Sequence, residues 1–303
     1  MSLGLGPASL DDPEIGGAVL RLRGYRWLGA LLSGGALAVG GVLVQGLFRN
    51  PLASPSILGT TAGASLGGQL ALLAQATLLA DLPLAAESWL PLGCIGGALL
   101  SLVVLLAFLR RGVDRVAVLL IGFILSALFV AVGSFVVSIA QERHELGRAV
   151  IAFTLGGLGG VGLVHIAVAL PLIAAGLIAA WGWSPSLDLM LSGETEASSL
   201  GLDVARVRRW TVAWVAVMTS AAVAIGGNVS FVGLVVPHAL RGQVGATHRR
   251  LVGLAFVGGA AFVGLCDLAV RLIPSRTEIP LGIVTGLVGA PVFLILLARE
   301  RQR

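Results

Sequence analysis

The chain has 303 residues, 57% of them hydrophobic and only 12% charged, with a mean hydropathy of +0.99. Soluble proteins carry about a quarter charged residues, and a soluble chain of this length has nowhere to hide so much apolar surface. All 20 basic residues are arginine, which excludes a Walker A phosphate loop and Schiff-base chemistry, since both need lysine.

Residues 1–26 are polar, carry Asp11, Asp12 and Glu14, and show neither the charged start nor the apolar core of a signal peptide. Mainly apolar segments follow at 27–47, 57–80, 89–109, 116–138, 158–181, 210–227, 251–270 and 279–298, each near the roughly 20 residues that span a bilayer. A shorter ninth, 229–240, carries two polar breaks. Lipid offers no partner to open backbone groups. The predicted fold is therefore all-α, a polytopic membrane helical bundle of about nine spanning helices with a short broken helix near 229–240. A polar segment, 1–26, precedes a transmembrane domain, 27–303.

The block Gln45 to Ser65, QGLFRNPLASPSILGTTAGAS, places prolines, an amide, an arginine and hydroxyls between two apolar runs. Asn-Pro and Ser-Pro steps stop a helix and keep the preceding residue extended, so the backbone must turn there, and such a break in an apolar chain points to transport. The 43 glycines punctuate the spans, as in GGALAVGG (34–41) and VGGAAFVG (257–264), and suit close helix packing. A faint internal echo runs from Arg26-Trp27, Gly40-Gly41, Gly46-Leu47 and Pro51 to Arg209-Trp210, Gly226-Gly227, Gly233-Leu234 and Pro237. An offset of five spans would invert the second copy, giving inverted-repeat character. Cys94, Cys266 and the scattered histidines 144, 165, 238 and 248 show no ligand spacing, so no metal or other cofactor is expected, and no catalytic constellation can be assembled.

A net charge of +5 would suit nucleic acid in a soluble protein, but here the arginines lie between spans and set orientation. With the loop after 27–47 cytoplasmic and sides alternating, 13 arginines fall inside and seven outside. That places the C-terminus in the cytoplasm and residues 1–26 outside, in the periplasm.

The blocks GALAVGGVLVQGLFRNPLASPSILGTTAGAS (35–65), SGETEASSLGLDVARVRR (192–209), GNVSFVGLVVPHALR (227–241), CDLAVRL (266–272) and EIPLGIVTGLVGAPVFLILL (278–297) resemble, in order, those of the FecCD family of ABC importer permeases. The resemblance covers nearly everything from about residue 20 onward. It implies ten spanning helices, the first of which this chain would lack. LGPASLDDPEIGGAVLRLRGYR resembles the outer loop after that helix, through a start set too far downstream or a real truncation.

The resemblance also implies partners and sites. Arg23, Arg26 and Arg271 match arginines that receive acidic lobes of a periplasmic or lipid-anchored substrate-binding protein, although interfacial arginines also snorkel to headgroups. The family's Arg-x-Pro-Arg reads Arg23-Gly24-Tyr25-Arg26 here. The loop 188–209, with Gly193, Glu194, Ala197, Leu200 and Gly201, matches the segment that couples to separate ATP-binding cassette ATPase subunits; the plain alternative is a solvated loop. A channel between two permease copies, a homodimer, would be lined or gated by Gln45, Asn50, Pro51, Ser134 and Ser138, whose polar groups serve equally to satisfy backbone at a helix break. Asp267 lies four residues before Arg271, where the two neutralise one another at helical spacing.

The function expected from the resemblance is that of a transmembrane permease subunit in the bacterial inner membrane, importing iron-siderophore, haem or cobalamin by alternating access, with ATP hydrolysed elsewhere. The alternative is an ion-coupled secondary transporter working without an ATPase.

Overall fold

The structure is a computed structural model that describes residues 16–78, 86–244, 247–273 and 279–300. It is all-helical among those residues: α1 (Gly16–Phe48), α2 (Thr60–Thr77), α3 (Trp89–Arg110), α4 (Arg115–Ala140), α5 (His144–Leu155), α6 (Leu163–Leu191), α7 (Glu194–Ser199), α8 (Val204–Gly226), α9 (Val232–Val244), α10 (His248–Leu272) and α11 (Leu281–Glu300). Of the predicted polar segment 1–26, residues 1–15 lie outside the described residues, and from Gly16 the chain is already helical.

Helix α1 is the axis of the bundle. At 1.5 Å per residue its 33 residues reach about 50 Å, and every residue from Ser33 to Phe48 is buried. A helix with no exposed stripe needs cover on all sides, which α6, α8, α9 and α10 supply. Small residues permit this crowding. A Cβ at Gly34 would collide with the Gly259 carbonyl of α10, and one at Gly41 with the Gly233 carbonyl of α9. The same device joins α2 to α3, where Gly63 meets Gly97 and Gly67 meets Gly93 across an antiparallel crossing.

Among the described residues, seven helices, α1, α3, α4, α6, α8, α10 and α11, are long and apolar enough by themselves to cross a membrane, against about nine expected. The segment 57–80 is interrupted: Pro55–Leu58 forms a 3-10 turn, Gly59 (φ +77°) reverses the backbone, and α2 keeps 18 residues whose buried face includes Thr60, Thr61, Gly63 and Gln69. It gains its place by fitting between neighbours rather than by being apolar. The segment 229–240 becomes the 13-residue α9 with Pro237 inside it, about 20 Å of helix and too short to cross alone.

The residues of the internal echo fall on unlike backbone. Gly40-Gly41 sit inside continuous α1, whereas Gly226-Gly227 end α8; Pro51 is in a loop, whereas Pro237 is within a helix.

Helix α1 stops through backbone geometry. Arg49 takes the left-handed conformation (φ +51°) and its N–H donates to the Gly46 carbonyl (3.3 Å), while the Asn50 N–H donates to the Gln45 carbonyl (3.2 Å). This is a Schellman ending with arginine in the place glycine usually takes.

Candidate functional site

Two adjoining cavities, of about 290 and 200 Å³, share Ser56, Thr61 and Asn228 in their walls. The larger runs between α2 and α4 and is lined by Ser126, Ser134 and Gln69 among apolar neighbours; the smaller runs along the break between α8 and α9. Together they form a groove whose polar groups are mostly hydroxyls already engaged locally. Ser134 Oγ donates to the Val130 carbonyl (2.9 Å), and Ser126 Oγ lies within bonding distance of the Gly122 (2.9 Å) and Ser56 (3.0 Å) carbonyls. Such a wall is wettable but weakly binding where its hydroxyls are occupied, and Gln69 Oε1, buried without a hydrogen-bond partner, is its open acceptor. Beside it, α4 presents Phe123, Ile124, Leu128 and Phe135 outward.

The break at 227–231 is held in place by packing. Gly227 (φ +64°) ends α8, and a Cβ there would collide with the Phe153 carbonyl of α5. Phe231 adopts φ +65°, a conformation costly for a bulky side chain, and its ring lies over Gly289 of α11, where a Cβ would meet the Phe231 Cβ at 2.5 Å.

Of the residues expected in a pathway, Ser134 lines the groove and Ser138 is exposed on the same helix. Gln45 lines neither cavity. It is 2% exposed, its Nε2 donates to the Leu234 carbonyl (3.4 Å), and its Oε1 accepts from Arg241 Nη2 (3.3 Å); it clamps α1 to α9. Asn50 and Pro51 are exposed in the turn after α1, where Asn50 Oδ1 accepts from the Leu52 N–H (2.9 Å). Sequence reasoning missed Ser56, Thr61, Ser126 and Asn228. One signal was available: Ser126, Ser134 and Ser138 recur at spacings of eight and four along one helix.

At the end of the bundle where α1 begins, Asp267 is 1% exposed and sits between two arginines. Arg26 Nε donates to its Oδ1 (2.8 Å), and Arg271 Nε lies 3.1 Å from Oδ2, an ion-pair distance without hydrogen-bond alignment. The expected pairing of Asp267 with Arg271 is present, and Arg26 joins it from 241 residues away. Arg23 is 9% exposed. Two of the three residues matched to docking arginines thus share one buried carboxylate.

At the opposite end, the segment 188–209 is shorter as a loop than expected, because α6 runs to Leu191 and α8 starts at Val204. Between them, α7 is flanked by Gly193 (φ +140°) and Gly201 (φ +86°). Ala197 is buried against the core, Glu194 Oε1 pairs with Arg208 Nη2 (2.7 Å), and Leu200 stands 68% exposed. Nearby, Asp188 Oδ1 accepts from the His248 N–H (2.9 Å) and lies 2.6 Å from its ring Nδ1, tying the end of α6 to the start of α10. The imidazole fills the space over Gly46 of α1, where a Cβ would collide with it.

Comparison with known proteins supplies the family. The model of the FecCD transport family matches residues 9–299. The Fe(3+) dicitrate transport system permease protein FecD of Escherichia coli (strain K12) is 37% identical over 276 residues, 91% of this chain and 83% of that protein. The cobalamin import system permease protein BtuC of Halobacterium salinarum is 35% identical over 277 residues, 91% of this chain and 71% of that one. A solved structure of a metal-chelate type ABC transporter in an inward-facing conformation is similar with a TM-score of 0.85 at 30% identity, over 98% of this chain and 93% of the other. A match across nearly the whole chain, on a helical bundle of the same shape, means that this chain belongs to the FecCD transport family of ABC transporter permeases.

Proposed function

We propose that the chain is the transmembrane subunit of a binding-protein-dependent importer that carries iron-siderophore, haem or cobalamin into the cytoplasm of a bacterium by alternating access. The observation that carries this reading is the groove of engaged hydroxyls flanked by the exposed apolar face of α4. A second copy packed on that face would close the groove into a conduit between two chains, and a wall that binds weakly lets a large chelated cargo leave.

The remaining features fit partners at the two ends. Leu200 and the outer side of α7 offer a small, partly apolar knob to an ATPase subunit in the cytoplasm. Arg23, Arg26 and Arg271 together outweigh the one carboxylate of Asp267 and leave the periplasmic end net positive, a field that guides an acidic binding protein through encounter rather than through exposed contacts. The rival, an ion-coupled carrier, needs an acid at mid-membrane depth facing a cavity. Asp188 and Asp267, within the spanning helices α6 and α10, lie near helix ends and are paired.

Reconstitution tests the reading. Vesicles holding this chain with ATPase subunits and a binding protein are expected to take up cargo only with ATP, and the chain alone is expected to hydrolyse none. Uphill uptake by the chain alone under an ion gradient would establish the carrier instead.

A further inference from the structure

One side chain joins α7 to the helix that carries the groove. Arg208 lies in the second turn of α8 with its side chain 13% exposed. Its Nη2 donates to Glu194 Oε1 (2.7 Å), the first residue of α7, and its Nη1 donates to the Val113 carbonyl (3.2 Å) in the link between α3 and α4. Val113 directly precedes Asp114, whose Oδ1 accepts from the Ala117 N–H (2.8 Å) and so caps α4. The path from α7 to the groove-lining helix is therefore a carboxylate, a guanidinium, a carbonyl and a helix cap.

The backbone around this path is hinged on both sides. Gly193 and Gly201 flank α7, and Gly112 (φ +76°) precedes Val113. Backbone bonds join α7 to its flanks, the Gly193 N–H to the Met190 carbonyl (3.3 Å) and the Leu202 N–H to the Ala197 carbonyl (3.0 Å), and side-chain ties add to where α7 sits against α3, α4 and α8. Ala197 supplies apolar packing, which is non-directional. The Arg208 fork is directional, because a planar guanidinium can hold two acceptors in a fixed relation.

We infer that Arg208 transmits the position of α7 to the N-terminus of α4, so that a displacement imposed on α7 by a partner subunit re-aims the wall of the groove. The inference rests on the importer reading of α7. Arg208 touches neither cargo nor nucleotide in this scheme; it is a positioning residue.

The test is a distance measurement in the whole complex with ATPase and binding protein, beside transport and hydrolysis. Cys94 and Cys266, both buried, are replaced by alanine, and spin labels are placed at Val116→Cys on α4, 71% exposed, and Ser198→Cys on α7, also exposed. With Arg208 present, the 116–198 distance is expected to stay single and narrow whether or not nucleotide is bound. Arg208→Gln is expected to broaden or shift it when nucleotide is added and to lower uptake per ATP hydrolysed about tenfold, with hydrolysis itself changed about twofold or less. Arg208→Lys, a point cation without the fork, is expected to fall between. If Arg208→Gln does not assemble, Glu194→Gln cuts the same path at its other end and is read in the same way.

An unchanged distance in Arg208→Gln overturns the inference, as does a parallel loss of uptake and hydrolysis at constant distance. Absence of ATP-dependent uptake in the unsubstituted complex would instead remove the importer reading, and this inference with it.

Discussion

Replacing Asp267 with asparagine keeps the shape of the side chain and removes the charge that Arg26 and Arg271 share. The Arg26 bond alone, a charge-assisted contact at 2.8 Å, contributes about 1.5–3 kcal/mol. Two guanidiniums gathered on one carboxylate, left with no anion between them, repel one another. Breaking one member of a buried ion group typically costs about 3–5 kcal/mol. The lower end of that range is expected here, because Arg26 retains 17% side-chain exposure and can turn toward water. The assay is denaturation by SDS in mixed micelles, run as a cycle of Asp267→Asn, Arg26→Gln and the pair. Once the carboxylate is gone, the second substitution removes a repulsion instead of an attraction. The pair is therefore expected to be more stable than the sum of the single effects predicts, by about 1–3 kcal/mol. Additivity within about 0.5 kcal/mol would show that the two helices do not hold each other through this carboxylate.

Gly67→Leu is expected to separate α2 from α3 and to lower the melting temperature of the purified chain by several degrees, as overpacking of about 1–3 kcal/mol does. Gly96→Leu on the same α3, where a Cβ meets nothing within 4 Å, is expected to leave it unchanged; equal effects at both sites would refute the close-packing account. Ser134→Phe fills the larger cavity from an exposed position and is expected to stop uptake with little change in thermal stability, measured in the reconstituted complex. Leu200→Ser removes the exposed apolar knob after α7 and is expected to weaken retention of ATPase subunits during purification about tenfold, the free energy of one partly buried leucine, without altering the fold of the permease.

The turn after α1 was legible because proline and asparagine act locally: α1 stops at Phe48 and the 3-10 turn starts at Pro55, inside the block that the sequence marks out. The bounds of α7 were legible for a similar reason, since Gly193 and Gly201 on either side of it occupy backbone conformations that suit glycine. The direction in which Gln45 points was not legible. An amide in an apolar run announces that it needs partners, but whether they belong to a cavity or to a neighbouring helix is decided by residues nearly 200 positions away, Leu234 and Arg241. Hydropathy is a poor guide to two of the expected spans for a related reason. It weighs each segment alone, whereas α2 is stable because glycine faces on α3 admit it, and α9 because α1, α10 and α11 surround it. Asn228 gave little away within GNVS, since its exposure depends on the break that Gly227 and Phe231 create.

The ion group that fastens α1 to α10 also has a history in time. Arg26 is made early and Asp267 is 241 residues later, so at a ribosomal pace of about 5–20 residues per second the first helix waits about 12–50 s for its anion. The glycine seam at Gly34 waits for Gly259 almost as long. During biogenesis α1 must therefore be sheltered by the insertion machinery or by earlier-made neighbours such as α6 and α8. A nascent chain halted before α10 would leave both a charged helix end and a bare groove of small residues on α1 without the cover that α10 gives them in the finished chain.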